Sequence, residues 1–183
     1  FIMSASLLKF CLSLEVDLKM PIMVVGGGIM GALTALQLAR AGASVFLIER
    51  QYVGRESSWA GGGIVSPLYP WRYSSAVTAL AHWSQDFYPR LAEQLLVQTG
   101  IDPQVHATGL YWLDLEDEAL ALEWARAQGY PLEPVEMALV HDAVPSLAEG
   151  FDRALHMLGL ANVRNPRLVK ALRAALLQLP NVQ

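Results

Sequence analysis

The sequence predicts an α/β fold that begins with a Rossmann-like strand–helix–strand unit. The apolar run Ile22–Val25 is typical of a buried strand. It leads directly into Gly26, Gly28 and Gly31, which have the spacing G-x-G-x-x-G. These glycines allow a tight turn, a close approach of the backbone to a pyrophosphate, and close packing of helix on sheet. The start of the following helix then offers its N–H groups and positive dipole end to the phosphates.

Two further elements complete this unit. Small and apolar residues recur at helical spacing over residues 32–41, and Gly42 is placed to end that helix. A second apolar run, Val45–Ile48, predicts the second strand. It is followed by Glu49, about where a dinucleotide-binding unit places an acidic acceptor for ribose hydroxyls. The alternative is a strand–helix–strand unit without a ligand, and the spacing by itself does not separate an FAD site from an NAD site.

The composition excludes several classes of function. The chain has 183 residues, of which 54% are hydrophobic, and a formal net charge of −4. This length is sufficient for one domain of ordinary size with part of a second. Because no basic stripe is visible, no nucleic-acid partner is expected. Cys11 is the single cysteine, so a disulfide within the chain and a Cys-rich metal site are excluded, and the scattered histidines predict no metal.

Both ends of the sequence look unlike those of an intact protein. The sequence begins with Phe1, whereas Met20 looks like the natural start. The apolar patch within residues 1–19 contains Lys9 and is soon followed by charged residues, unlike a signal peptide or a membrane span. We therefore expect residues 1–19 to be a non-native or disordered extension. At the other end, residues 180–183 look like the start of a strand.

A second glycine-rich segment follows the second strand. Ser57 and Ser58 can cap a short helix and donate hydrogen bonds to a phosphate. No side chain projects from the backbone of Gly61–Gly63, so this backbone can lie flat against a planar ring. The alternative is a flexible surface loop.

The remainder of the chain predicts a mixture of helices and strands. Acidic residues 116–118 are expected to stabilise a helix start, and Asn165 is expected to be a helix N-cap. The prolines within residues 131–145 predict an irregular segment. The predicted elements are a long amphipathic helix over 75–98 with Pro89 inside it, a strand over 109–115, a helix to about 128, a strand over 155–160, and a last helix with buried Leu168, Val169, Leu172, Leu176 and Leu179.

These motifs together resemble one family of flavoenzymes. Residues 24–49 resemble the FAD-binding start of glutathione-reductase-type flavoproteins. Combined with Ser57–Ala60 and Gly63–Pro67, they resemble the D-amino-acid oxidase group, and within it the glycine oxidases of thiamine biosynthesis. Val163–Leu172 is similar to the segment where the chain of these enzymes returns to the FAD domain. The resemblance covers about residues 20–183 and corresponds to the N-terminal half of these enzymes only.

The resemblance implies FAD as the cofactor and a set of contacts along it. The implied contacts are Gly26, Gly28, Ile29, Met30 and Gly31 at the pyrophosphate, Glu49 at the ribose hydroxyls, Arg50 beside the adenine, Ser57 and Ser58 at the phosphate and ribityl region, and Gly62, Gly63 and Ile64 at the flavin ring.

The resemblance also implies the domain organisation. Residues 20–75 and 163–183 would form a discontinuous, truncated FAD-binding domain. Residues 76–162 would form part of an inserted α+β substrate domain. The arginine that binds the substrate carboxylate and a neighbouring tyrosine are expected beyond Gln183, so no catalytic residue is assigned in this chain.

The implied reaction is oxidative deamination of glycine or another small amino acid to a 2-oxo acid, ammonia and hydrogen peroxide. The chain by itself is expected to be inactive. The alternatives are an FAD-dependent D-amino-acid dehydrogenase, an NAD-binding domain, and a noncatalytic nucleotide-binding fragment. The expected partners are the amino acid and oxygen, in the cytoplasm and without a membrane, and a homo-oligomer is left open.

Overall fold

The computed structural model describes residues 20–183, so the expectation for residues 1–19 lies outside the described residues. The elements, in chain order, are β1 (Ile22–Val25), α1 (Ile29–Arg40), β2 (Val45–Ile48), α2 (Ser57–Ala60), a 3₁₀ turn (Pro70–Arg72), α3 (Ser75–Thr99), β3 (Val105–Ala107), β4 (Leu110–Leu113), α4 (Glu118–Gln128), β5 (Leu132–Val135), α5 (Met137–Ala143), β6 (Ala154–Met157), β7 (Ala161–Val163) and α6 (Asn165–Leu177).

The described chain divides into two compact units. They are a first unit of residues 20–62, 91–104 and 164–183, and a second unit of residues 63–90 and 105–163. These bounds differ from the expected domain bounds over residues 63–75 and 91–104 and at residue 163. The assignment of an FAD-binding domain and a substrate domain stays a prediction.

The first unit is built on the predicted strand–helix–strand unit. β1 and β2 pair in parallel, from Ile22 opposite Val45 to Val25 opposite Ile48, and α1 connects them. A parallel connection of this kind requires a crossover, which α1 supplies. Residues 181–183 pair in parallel with β2 through Val45 and Val182, so β2 has a neighbour on both edges.

Helix α6 packs its apolar face into the first unit as the sequence predicts. Leu168, Val169, Leu172 and Leu176 are all at most 5% exposed, whereas Leu179 is only partly buried. The helix packs against α1 and against α2. The periodic placement of these residues is sufficient to define the buried face.

The predicted burial of β1 is wrong for one of its faces. Met23 is 63% exposed and Val25 is 78% exposed. Side chains alternate between the two faces of a strand, so these two lie opposite Ile22 and Val24. No element within residues 20–183 covers the face of Met23 and Val25, and Ile22 and Val24 on the other face are half-buried. The apolar run therefore predicted the strand correctly but overstated its burial.

The second unit is an α+β arrangement of antiparallel strands. β4, β6 and β5 form a three-stranded sheet in that order, and β3 pairs with β7. The prediction that residues 131–145 are irregular is wrong, because this segment contains β5 and α5. β5 lies at the edge of the sheet, where Pro134 is tolerated although it has no N–H for a further strand.

An aromatic cluster forms the core of the second unit. Trp71 and Trp112 meet edge to face with ring centroids 5.3 Å apart, and both are at most 7% exposed. Asp117 holds one end of this cluster, because its carboxylate accepts hydrogen bonds of 2.8 Å from the Trp71 indole and from the Arg72 guanidinium. The acidic residues at the start of α4 were expected to stabilise this end of the helix. The side chain of Asp117 makes no capping hydrogen bond to α4.

Asp117 is expected to make the stability of this protein depend on pH in the acidic range. The Arg72 hydrogen bonds, joined by that from Trp71, lower the pKa of Asp117 from 3.8 to about 2. A lowered pKa in the folded state means that the stabilisation is complete above about pH 4 and is lost as the pH falls towards about 2. Asp117→Asn should lower the unfolding temperature at neutral pH, with a difference from wild type that shrinks in acid.

Circular dichroism melts across this pH range measure the effect. Glu123→Gln, an exposed change on α4, is the matched control and should leave the unfolding temperature unchanged. A difference between wild type and Asp117→Asn that stays constant from neutral pH to pH 2 would contradict the assigned role.

Candidate nucleotide-binding site

The turn between β1 and α1 requires glycine at two positions. Gly26 has a φ of +100°, which L side chains rarely adopt. A Cβ at Gly31 would collide with the carbonyl oxygen of Gly26, so the helix can approach the turn this closely only without a side chain. Two of the three predicted glycines are thus explained by the geometry of the turn itself.

The first turn of α1 presents backbone donors. The Ile29 N–H donates to the Ser58 hydroxyl oxygen at 2.8 Å, which leaves the Ser58 O–H able to donate elsewhere. Within residues 20–183, the N–H groups of Met30 and Gly31 donate to no protein acceptor. Unpaired N–H groups at a helix N-terminus, together with the positive end of the dipole, favour an anion such as a phosphate.

Glu49 lies at the end of β2 and is held against the glycine turn. One carboxylate oxygen accepts the Gly27 N–H at 2.8 Å, and the other accepts the Gln51 N–H at 3.0 Å. These hydrogen bonds, that from Gln51 first, lower the pKa of Glu49, so the side chain is ionised at neutral pH. Each oxygen keeps a further lone pair for a hydroxyl donor. Gly27 was not singled out by the sequence, and its role depends on this contact.

Arg50 lies on the surface, next to Glu49. Its guanidinium forms an exposed ion pair with Glu56, which raises the pKa of Arg50. The pair joins Arg50 to Glu56 in the loop that follows β2. Whether the side chain turns towards an adenine stays a prediction.

The predicted serines lie on α2, and the next residues are fixed by α6. Ser57 is exposed, whereas Ser58 is half-buried against the start of α1. The Asn165 amide donates to the carbonyl oxygen of Gly61 at 2.9 Å. Asn165 therefore makes a tertiary contact, and Arg164 occupies the N-cap position that was predicted for Asn165. A Cβ on the following Gly62 would meet no atom within 4 Å.

Gly63 and Ile64 belong to the second unit and pair with β7. The Val163 N–H donates to the Gly63 carbonyl at 2.8 Å, and Ile64 forms an antiparallel bridge with Asn162. Ile64 is 44% exposed although its backbone is paired. A flexible surface loop, the alternative left open by the sequence, does not describe this hydrogen-bonded stretch.

The first unit contains the features that a dinucleotide pyrophosphate requires. It combines the glycine-only turn, two unpaired helix N–H groups and an ionised acceptor at the end of β2. Among residues 20–183, no three His, Cys, Asp or Glu side chains are arranged so that they could hold a metal ion. Over the same residues, no helix is long and apolar enough to cross a bilayer.

Comparison with known proteins identifies what this arrangement is similar to. Residues 21–180 match the family described as FAD dependent oxidoreductase (DAO). The chain is 65% identical over 161 residues to the glycine oxidase of Pseudomonas putida and 61% identical over 162 residues to that of Pseudomonas aeruginosa. Each match covers 88% of this chain and 44% of the relative, so the chain spans less than half of their length.

A solved structure shows the same fold over the same part of the chain. The glycine oxidase of Geobacillus kaustophilus superposes with a TM-score of 0.77 at 30% sequence identity, covering 88% of this chain and 45% of that one. The predicted Rossmann-like α/β fold and the resemblance to the N-terminal half of glycine oxidases are confirmed. The prediction of FAD as the cofactor is also confirmed, because the description of the family names FAD.

Proposed function

Because this chain belongs to the family of FAD-dependent oxidoreductases, we propose that its protein oxidises glycine or another small amino acid. The observation that carries this proposal is the 65% identity to a glycine oxidase over 161 residues. The overall reaction converts the amino acid, oxygen and water into a 2-oxo acid, ammonia and hydrogen peroxide. Bound FAD would supply the two-electron oxidation of the α-carbon, with oxygen as the final electron acceptor.

The residues of the first unit hold the cofactor in this proposal. The N–H groups of Met30 and Gly31 bind a pyrophosphate oxygen, and the Ser58 hydroxyl donates beside them. The Glu49 carboxylate accepts hydrogen bonds from the ribose hydroxyls. The unpaired donors and the lowered pKa of Glu49 support these roles.

The remaining predicted contacts complete the proposal. Arg50 lies beside the adenine, and Ser57 beside the phosphate and ribityl region. Gly62, Gly63 and Ile64 pass along the flavin ring, where the missing side chains of the glycines leave room for it. We assign residues 20–75 and 163–183 to FAD binding and residues 76–162 to part of the substrate domain. A cytoplasmic location belongs to the same proposal.

The cofactor is expected to be held without a covalent bond. None of the residues assigned to it is a cysteine or histidine, the side chains that would provide a sulfur or nitrogen for a link to the flavin. Acid precipitation of the purified full-length protein should release all yellow colour into the supernatant, and chromatography should identify the released compound as FAD. Colour that stays in the pellet would contradict this prediction.

Hydrogen peroxide formation separates the oxidase from a dehydrogenase of the same fold. The purified full-length protein is incubated with glycine and oxygen, and peroxide and ammonia are measured together. Equal amounts of both products are expected. Ammonia that appears only when an artificial quinone is added would identify a dehydrogenase instead.

A further inference from the structure

A positively charged pocket, separate from the candidate nucleotide-binding site, lies in the first unit. It has a volume of about 310 Å³, which is in the range of small-molecule sites. One wall is the exposed side of α6, and the other is the loop after β2 with the adjoining α2. None of the residues assigned to FAD lines it.

Three cationic side chains line this pocket without an acidic one. Lys170 and Arg173 lie three residues apart on α6 and so share one face, and Arg55 approaches from the opposite wall. In the part of the chain that the structure describes, none of the three forms an ion pair. Glu56, the acidic neighbour of Arg55 in sequence, is paired with Arg50. A concave surface lined by positive charges concentrates the electric field and attracts anions.

The same pocket offers an aromatic and apolar surface. Trp59 is 41% exposed, and the Arg55 guanidinium lies 4.7 Å from the centre of its ring. Leu177, which is 78% exposed, lies on α6 one turn beyond Arg173, and Val53 and Ile101 add further apolar surface. An exposed tryptophan beside an exposed leucine leaves apolar area that a flat ring would cover.

We propose that this pocket binds a small aromatic anion, such as an aromatic carboxylate. The ring packs against Trp59 and Leu177, and the carboxylate faces Lys170 and Arg173. Charge-assisted hydrogen bonds to the carboxylate are stronger than neutral ones and set the preference for an anion. The ring provides apolar burial, which a bare inorganic anion lacks. This site is separate from the proposed oxidation of amino acids and does not depend on it.

Titration calorimetry with 2-naphthoate tests the proposal on the purified, cofactor-loaded protein. The matched neutral probe is 2-naphthalenemethanol, which keeps the ring and removes the charge. The double variant Lys170→Gln/Arg173→Gln removes two cations from exposed positions of α6, and Trp59→Leu removes the ring. Arg126→Gln, at an exposed site in the second unit, is the control for loss of charge elsewhere.

The double variant is expected to bind 2-naphthoate roughly tenfold more weakly than wild type. Trp59→Leu should also weaken binding, while Arg126→Gln should leave it unchanged, and added salt should weaken it in wild type. FAD content should be the same in all of these proteins. The proposal is overturned if the double variant binds as tightly as Arg126→Gln, if the neutral alcohol binds as tightly as 2-naphthoate, or if wild type does not bind 2-naphthoate.

Discussion

Gly62→Val is expected to abolish FAD binding without destabilising the cofactor-free protein. In the folded chain a Cβ at Gly62 would meet no atom within 4 Å, and its backbone needs no positive φ. The protein itself therefore tolerates a side chain there, and the expected change in stability lies within about 0.5 kcal/mol. A side chain that stands between this backbone and the flavin ring must prevent close approach. Flavin occupancy and the unfolding temperature of the cofactor-free protein measure the two effects separately.

Gly63→Val gives the contrasting result and serves as the comparison. Gly63 has a φ of +75°, and a Cβ there would collide with the carbonyl oxygen of Val163. We expect this variant to be destabilised by about 1–3 kcal/mol even without cofactor, because the backbone must leave its pairing with β7. If Gly62→Val retains full flavin occupancy and turnover, the glycine segment does not contact the flavin.

Gly54 is unsuitable as a neutral control, although its position in a polar loop suggests tolerance. It has a φ of +82°, and a Cβ there would lie 2.5 Å from the Cβ of Val169 on α6. Its N–H also donates to the Gly27 carbonyl. Bulk at Gly54 is therefore expected to destabilise the protein, because this loop is packed against a helix that is distant in sequence.

Glu49→Ala is expected to weaken FAD binding roughly tenfold to a hundredfold, because it removes a charged acceptor from the ribose hydroxyls. The substitution also removes the acceptor of the Gly27 and Gln51 N–H groups, so the glycine turn loses its connection to β2. Fluorescence titration of the cofactor-free protein with FAD gives the dissociation constant.

Glu49→Gln separates these two contributions. It keeps one acceptor oxygen for a backbone N–H but loses the negative charge and one acceptor. An affinity between those of wild type and Glu49→Ala is expected. An unchanged dissociation constant in Glu49→Ala would mean that this carboxylate does not face the ribose.

Several features of the candidate site could be predicted because they are local. The glycine spacing marks Gly26 and Gly31, since a turn with positive φ and a close helix approach need the residue without a Cβ. Glu49 is predicted by its place at the end of the second apolar run. In contrast, no local pattern marks Gly27, whose N–H meets Glu49 across 22 residues of sequence.

Asn165 and Pro134 show why other predictions from the sequence were wrong. Asn before Pro is a common helix start, but the Asn165 side chain donates to Gly61, which lies 104 residues away. Pro134 argues against a strand unless that strand lies at an edge, and only the order β4-β6-β5 places it there. The short strands β3 and β7 have too few residues for a periodic pattern.

The sequence by itself determined the strand–helix–strand start, the glycine-only turn and the buried face of α6, because each depends on backbone preference and side-chain period within one segment. Only the tertiary structure decided which side of β1 is exposed, that Gly62 is unobstructed while Gly63 and Gly54 are not, and that three cations share a pocket with Trp59. These features depend on which distant segments meet. The packing of the whole unit determines which distant segments meet, and the local sequence around any one residue does not.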